Sequence, residues 1–229
     1  MQGDKYMTFM RYLFEVFPYL AILCFIIGTL LRYFRWPFSV TSLSSQFLES
    51  RTLFWGSVPW HYGLILVLFG HLVIFFAPDT IFKLAESTSQ MQTVETIALA
   101  AGLLCLFGLL LLLVRRIIDK RIWAVTSVMD IFLLCLLFLQ ALSGVLTAIF
   151  YRWGASWFAA TLTPYLWSLI KLSPDATHVS SMPFLVQFHI LMAFFTIAII
   201  PYSRLIHLIV APLDYLWRPI QVVVWNRKA

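Results

Sequence analysis

The stretch FLVQFHILMAFFTIAIIPYSRLIHLIVAP, residues 184–212, decides the fold. It overlaps a run of 28 residues between Asp175 and Arg204 that holds no Asp, Glu, Lys or Arg. A helix needs roughly 20 predominantly apolar residues to cross the hydrocarbon core of a bilayer. Four more charge-free runs stand out: 16 residues between Glu15 and Arg32, 27 between Arg51 and Asp79, 19 between Glu95 and Arg115, and 21 between Asp130 and Arg152. The shortest is flanked by Tyr12, Phe14, Phe17, Tyr33 and Phe34, as the aromatic belts at a membrane surface are. These runs predict an all-α integral membrane bundle of five transmembrane helices, over about 14–34, 58–77, 94–116, 124–150 and 184–212. Residues 1–229 read as a single transmembrane domain, with no room left for a soluble one.

Composition points the same way. Of the 229 residues, 62% are hydrophobic and 11% are charged, against roughly 25% charged in a typical soluble domain. Too little polar surface exists to cover a water-soluble globule. The net charge of +6 is no nucleic-acid signal, because the basic residues sort by loop. Arg32, Arg35 and Arg51 follow the first span, and Arg115, Arg116, Lys120 and Arg121 follow the third. Arg204, Arg218, Arg227 and Lys228 lie at and beyond the end of the fifth, which makes 11 of the 16 Lys and Arg. Lys5, Arg11, Lys83, Arg152 and Lys171 are spread over the other side. The positive-inside rule then puts the N-terminus outside and the C-terminus in the cytoplasm. The expectation is a multi-pass protein of the cytoplasmic (inner) membrane. Segments 35–57, 78–93 and 151–183 connect the spans, and the basic, aromatic tail 213–229 suits a membrane surface or a partner. Cys24, Cys105 and Cys135 stand singly inside spans and read as small apolar core residues. The N-terminus does not read as a cleaved signal, since Glu15 and Pro18 open the first apolar run and no small-residue cleavage site follows it.

Four of the five histidines fall in spans: His61 and His71 on the second, His189 and His207 on the fifth. Ionisable groups inside a membrane are expensive and mark function. A lone histidine is often merely hydrogen-bonded to a neighbouring helix, but two and two on two helices is not what packing alone produces. In a five-span chain the second and fifth helices run antiparallel. His61 and His207 then lie nearer the cytoplasm, and His71 and His189 nearer the outside. Each pair offers the two axial nitrogens of one haem iron. One helix cannot supply both, since the ten residues from His61 to His71 rise about 15 Å. The 18 residues from His189 to His207 keep a common face but would rise about 27 Å on a straight helix. Pro201, between them, predicts a bend or an unwound turn. A zinc or copper site would instead gather its ligands at one depth, often with carboxylate or thiolate. His178, in the polar outer connection, reads as a surface histidine.

At this point the residues resemble a known family, the cytochrome b (gamma) subunits of membrane-bound respiratory nitrate reductases. The similarity runs nearly end to end. It is carried by Pro18-Tyr19-Leu20-Ala21, Ile27-Gly28 and Leu31-Arg32-Tyr33, then by Ser44-Ser45-Gln46 with Leu48 and Arg51. It continues through His61 and Gly70-His71, Arg115-Arg116, Asp130-Ile131 and Gln140-Ala141-Leu142 with Gly144. The most specific stretch is Ser203-Arg204-Leu205-Ile206-His207, followed by Pro212 and Tyr215-Leu216. The resemblance implies two haems b, His71 and His189 on the outer iron and His61 and His207 on the cytoplasmic one. It implies quinol, drawn from the membrane quinone pool, as electron source near the outer haem. Electrons would then leave for an iron–sulfur subunit and a molybdenum catalytic subunit on the cytoplasmic side. The chain would be the electron-transport subunit of a nitrate-respiring oxidoreductase, with no catalytic residue assigned to it. One position departs from the family: the lysine associated with quinol just before the third helix has no counterpart in Ser89-Gln90-Met91-Gln92-Thr93, and Lys83 comes several residues early.

Other polar residues carry two readings each. Arg116 and Arg204 are candidate partners of haem propionates, or positive-inside anchors. Gly70 gives close approach of haem or quinol to His71, or of one helix to another. Asp130 and Gln140 read as structural polar contacts rather than proton carriers. Two other readings of the whole chain stay open: a related cytochrome b of another respiratory or sulfur-metabolising complex, and a haem-free transporter or membrane anchor.

Overall fold

The computed structural model describes residues 8–35 and 51–209. Five long apolar helices cross it: α1 (Thr8–Arg35), α2 (Arg51–Phe76), α3 (Thr88–Ile118), α4 (Val128–Phe150) and α5 (Phe184–Ile199). Two short 3-10 turns, Ile200–Tyr202 and Arg204–Leu208, extend α5. Among the described residues there is no strand. The loop expected over 35–57 lies largely outside the described residues. So do the end of the fifth helix near 212, the tail 213–229, Lys5, Arg218, Arg227 and Lys228, and the motif residues Ser44, Ser45, Gln46, Leu48, Pro212, Tyr215 and Leu216.

The helices pack in the order α2, α3, α4, α5, α1. Their outer surfaces are apolar and exposed, for example Leu20, Leu23, Ile27 and Leu30 on α1. Hydrocarbon lipid is the medium that suits such a surface, because a helix satisfies its own backbone. Where lipid surrounds both partners, close fit rather than hydrophobicity holds helices together, and small residues supply it. The α2–α3 seam shows this: a Cβ on Gly63 would sit 2.7 Å from the Ala101 carbonyl oxygen. Gly56 and Gly108 meet across the same seam.

Boundaries follow local chemistry. α4 begins at Val128, later than the expected 124, because Ser127 caps it. Ser127 Oγ accepts the Asp130 N–H at 3.2 Å, and the Asp130 carboxylate accepts the Ser127 N–H at 3.1 Å. This reciprocal pair is a capping box. Residues Lys120–Ala124 form a separate short helix capped by Asp119. α2 starts at Arg51, ahead of the expected 58, and runs through Pro59.

Pro18 reshapes α1. It has no N–H, so the carbonyl one turn earlier, on Phe14, loses its helical donor. The chain widens there into a π turn, Tyr12–Val16. The buried Tyr165 hydroxyl donates to the freed Phe14 carbonyl at 2.7 Å. Tyr165 comes from the short helix Thr163–Ile170 of the connection between α4 and α5. Tyr19 donates back to the Leu169 carbonyl at 2.9 Å. The same connection is pinned to α5 by the buried Gln187, whose amide donates to the Val179, Ser180 and Met182 carbonyls. His178 stands beside Asp175 on this surface, 3.8 Å away. The Thr177 hydroxyl and amide hold the exposed Asp175 carboxyl below the usual carboxylate range.

Tyr165→Phe leaves the Phe14 carbonyl buried without a donor, which costs about 1–3 kcal/mol. The expected result is a lower thermal unfolding midpoint in detergent, with helix content unchanged by circular dichroism.

Candidate functional site

The four membrane histidines are held in one protonation pattern. His61 and His71 each turn Nδ1 toward the carbonyl one helical turn back. His61 Nδ1 lies 2.7 Å from the Ser57 carbonyl oxygen, and His71 Nδ1 lies 2.7 Å from that of Val67. His207 Nδ1 lies 2.7 Å from the Arg204 carbonyl oxygen. A carbonyl only accepts, so in each case Nδ1 carries the proton and donates. Nε2 is left with a lone pair. That is the form in which imidazole ligates a metal, its other N–H tied to a carbonyl.

His189 reaches the same state through α4. Its Nδ1 lies 2.9 Å from Ser143 Oγ. The Ser143 hydroxyl itself donates to the Gln140 carbonyl at 2.9 Å, so its oxygen accepts from His189. Gly144 makes room for the ring: a Cβ there would lie 2.8 Å from His189 Cε1. The Gln140 amide nitrogen stands 3.5 Å from His189 Nε2.

Two of the histidines share a cavity. His61 and His207 line one cavity of about 210 Å³ with Ser57, Trp60, Arg115 and Arg116. His71 lies within electrostatic range of His189, and Phe158 meets the His71 ring edge-on at 5.3 Å. Among the described residues no three His, Cys, Asp or Glu side chains converge on a point. Unprotonated Nε2 atoms of this kind are what an iron macrocycle would take from a protein.

The fifth helix is interrupted between His189 and His207. α5 stops at Ile199, and Ser203 is fully extended (φ −123°, ψ −178°). The chain restarts as a 3-10 turn that carries His207. Arg32 of α1 donates to the Pro201 and Ser203 carbonyls at 2.7 and 2.9 Å.

Arg116 and Arg204 meet on one carboxylate. Arg204 binds Asp130 as a fork, Nε on Oδ1 and Nη2 on Oδ2 at 2.8 Å. Arg116 Nη1 lies 3.1 Å from Asp130 Oδ2 and also donates to Thr126 Oγ1. Asp130 is 4% exposed. The space beside Gly70 is open: a Cβ there would meet nothing within 4 Å. Sequence reasoning missed Ser57, Ser143, Gly144 and Arg32 as supports. Only the small size of Ser143 and Gly144, at the depth of His189, hinted at theirs. It also missed Glu95 on α3, whose Oε1 is buried without a hydrogen-bond partner among the described residues.

The fold and these residues define a class: a five-span helical membrane protein with two histidines on its second span, one on its fifth and one on the turn that follows the fifth. The model of the family described as nitrate reductase gamma subunit matches residues 10–226, and the chain belongs to that family. A nitrate reductase gamma chain of Bacillus subtilis (strain 168) is 33% identical over 221 residues, which span 95% of this chain and 98% of that one. The respiratory nitrate reductase 1 gamma chain of Escherichia coli (strain K12) is 30% identical over 220 residues, 93% of this chain and 96% of that one. A nitrate reductase-like protein NarX of Mycobacterium tuberculosis is 29% identical over 225 residues, which cover 96% of this chain and 33% of the longer protein. The chain is thus a multi-pass inner-membrane subunit of a respiratory nitrate reductase, an oxidoreductase complex with other subunits.

Gly144→Ala pushes a methyl group into the His189 ring, and overpacking of this kind costs about 1–3 kcal/mol. The thermal midpoint is expected to fall. In a His189→Ala background the penalty disappears, and the double-mutant cycle reads the difference.

Proposed function

We propose that the chain is the membrane dihaem cytochrome b of its complex. It takes electrons from quinol near the outer face and delivers them through two haems b to iron–sulfur and molybdenum subunits on the cytoplasmic side. The observation that carries this reading is the uniform state of the histidines. All four have Nδ1–H engaged, and Nε2 is left as the ligating atom.

Haem, when bound, supplies reversible one-electron chemistry at its iron, and the protein supplies ligation, orientation and dielectric. In this reading His71 and His189 hold the outer iron, and His61 and His207 hold the cytoplasmic one. The hydrogen bonds at Nδ1 fix each ring plane and raise the basicity of Nε2. His71 and His189 are half-buried among the spans, whereas His61 and His207 are exposed. Arg115 and Arg116 line the cavity of His61 and His207, where cations offset the carboxylates of a macrocycle. Arg204 adds its charge beside them through Asp130. Gly70, next to His71, leaves room for a flat ring at the outer level. The N-terminus lies outside and the C-terminus in the cytoplasm, which puts the Arg-lined pair on the side of the partner subunits.

A reduced-minus-oxidised spectrum of the purified chain, made with ample haem supply, tests the proposal. Two b-type signals are expected. His71→Ala and His189→Ala should abolish the same signal, and His61→Ala and His207→Ala the other. A colourless chain, or members of one pair erasing different signals, would overturn it.

A further inference from the structure

We propose that Asp130 is a positioning residue for His207, acting through Arg204. This rests on the haem reading above and adds a residue that acts on the iron ligand without touching it.

The argument starts from the break after α5. His207 does not ride on the long helix. It sits on a five-residue 3-10 turn beyond an extended Ser203. Such short turns have poorer hydrogen-bond geometry than an α-helix and little stiffness of their own. Their direction must be set from outside. Three contacts do this among the described residues. Ser203 Oγ caps the turn by accepting the Leu205 N–H at 3.2 Å. Arg32 holds the Pro201 and Ser203 carbonyls. The Arg204 fork locks the turn onto Asp130.

The third contact reaches the ligand. Arg204 gives its guanidinium to Asp130 and its backbone carbonyl to His207 Nδ1–H at 2.7 Å. A charge-assisted fork to the carboxylate and a neutral hydrogen bond to the imidazole thus meet on one residue, with the covalent frame of Arg204 joining its guanidinium to its carbonyl. The anchoring end is rigid. Asp130 belongs to the capping box of α4, accepts the Ser127 N–H at 3.1 Å and pairs with Arg116 as well. A two-point carboxylate–guanidinium fork fixes orientation as well as distance. A lysine in place of Arg204 would keep the charge and lose the fork. Asp130 thus transmits the position of the α4 N-terminus to the direction of His207 Nε2.

The test uses the full chain with its haems. Asp130→Asn keeps the shape and the Ser127 cap but removes the charge. Loss of a partner that orients a metal ligand typically weakens holding on the order of 10- to 100-fold. The signal that His61→Ala removes is expected to shift in potential and in low-spin electron paramagnetic resonance position, and that haem to be lost on the order of tenfold faster. The signal assigned by His71→Ala should stay where it was. Arg204→Lys should shift the same signal, and the double variant should be no worse than the worse single one. Asp130→Glu, which keeps the charge, should restore the wild-type position in part. An unchanged His61-dependent signal in Asp130→Asn would overturn the proposal. So would equal disturbance of both signals, which marks a general fold defect. A wild-type chain with no haem signal would instead overturn the haem reading itself.

Discussion

Backbone amides and carbonyls inside a bilayer have no water to turn to. Two prolines decide where this chain must find other partners. Pro18 strips the Phe14 carbonyl of its donor, and a tyrosine from a connection 151 residues away fills the place. Pro201 ends α5, and Arg32 of the first helix takes the Pro201 and Ser203 carbonyls. Each repair ties a distant segment to a helix. The first closes the end of the bundle where α1 begins, and the second fixes where the chain restarts toward His207. The small residues of the α2–α3 seam then set how closely the remaining helices approach.

The histidines use the same currency. A carbonyl is the commonest acceptor in a helix, and an imidazole one turn later can donate to it. His61, His71 and His207 all do so. His189 has the same outcome through Ser143 of a neighbouring helix, with Gly144 clearing the space. The pattern makes imidazole orientation a by-product of helix geometry at three sites and of helix–helix packing at the fourth. α4 is therefore more than filler: it seats His189 at one end and anchors Arg204 at the other.

Charge is handled by concentration rather than dispersal. Asp130, nearly inaccessible, receives two arginines and a backbone amide. A buried carboxylate survives only with such partners. Two cations around one anion leave net positive charge near the cavity that His61 and His207 share. Arginine serves both roles because its planar fork can engage one partner and still present charge to another.

The five spans were legible from runs without charge, because the cost of charge in hydrocarbon is large enough to show in a one-dimensional count. The two-and-two distribution of histidines and the disturbance at Pro201 were legible for similar reasons: each depends on residue type and spacing along one helix. The family was legible in the run from Ser203 to His207. The partners of Arg116 and Arg204 were not. Anchoring at the membrane edge and pairing with a carboxylate look alike in sequence, and the Asp130–Arg204 contact spans 74 residues. Nor could spacing say that Gly144 faces His189, or that Gly70 faces open space. Hydropathy and periodicity are sums along the chain, whereas the direction of an imidazole depends on which neighbour supplies its hydrogen-bond acceptor. That neighbour is chosen only when the helices meet.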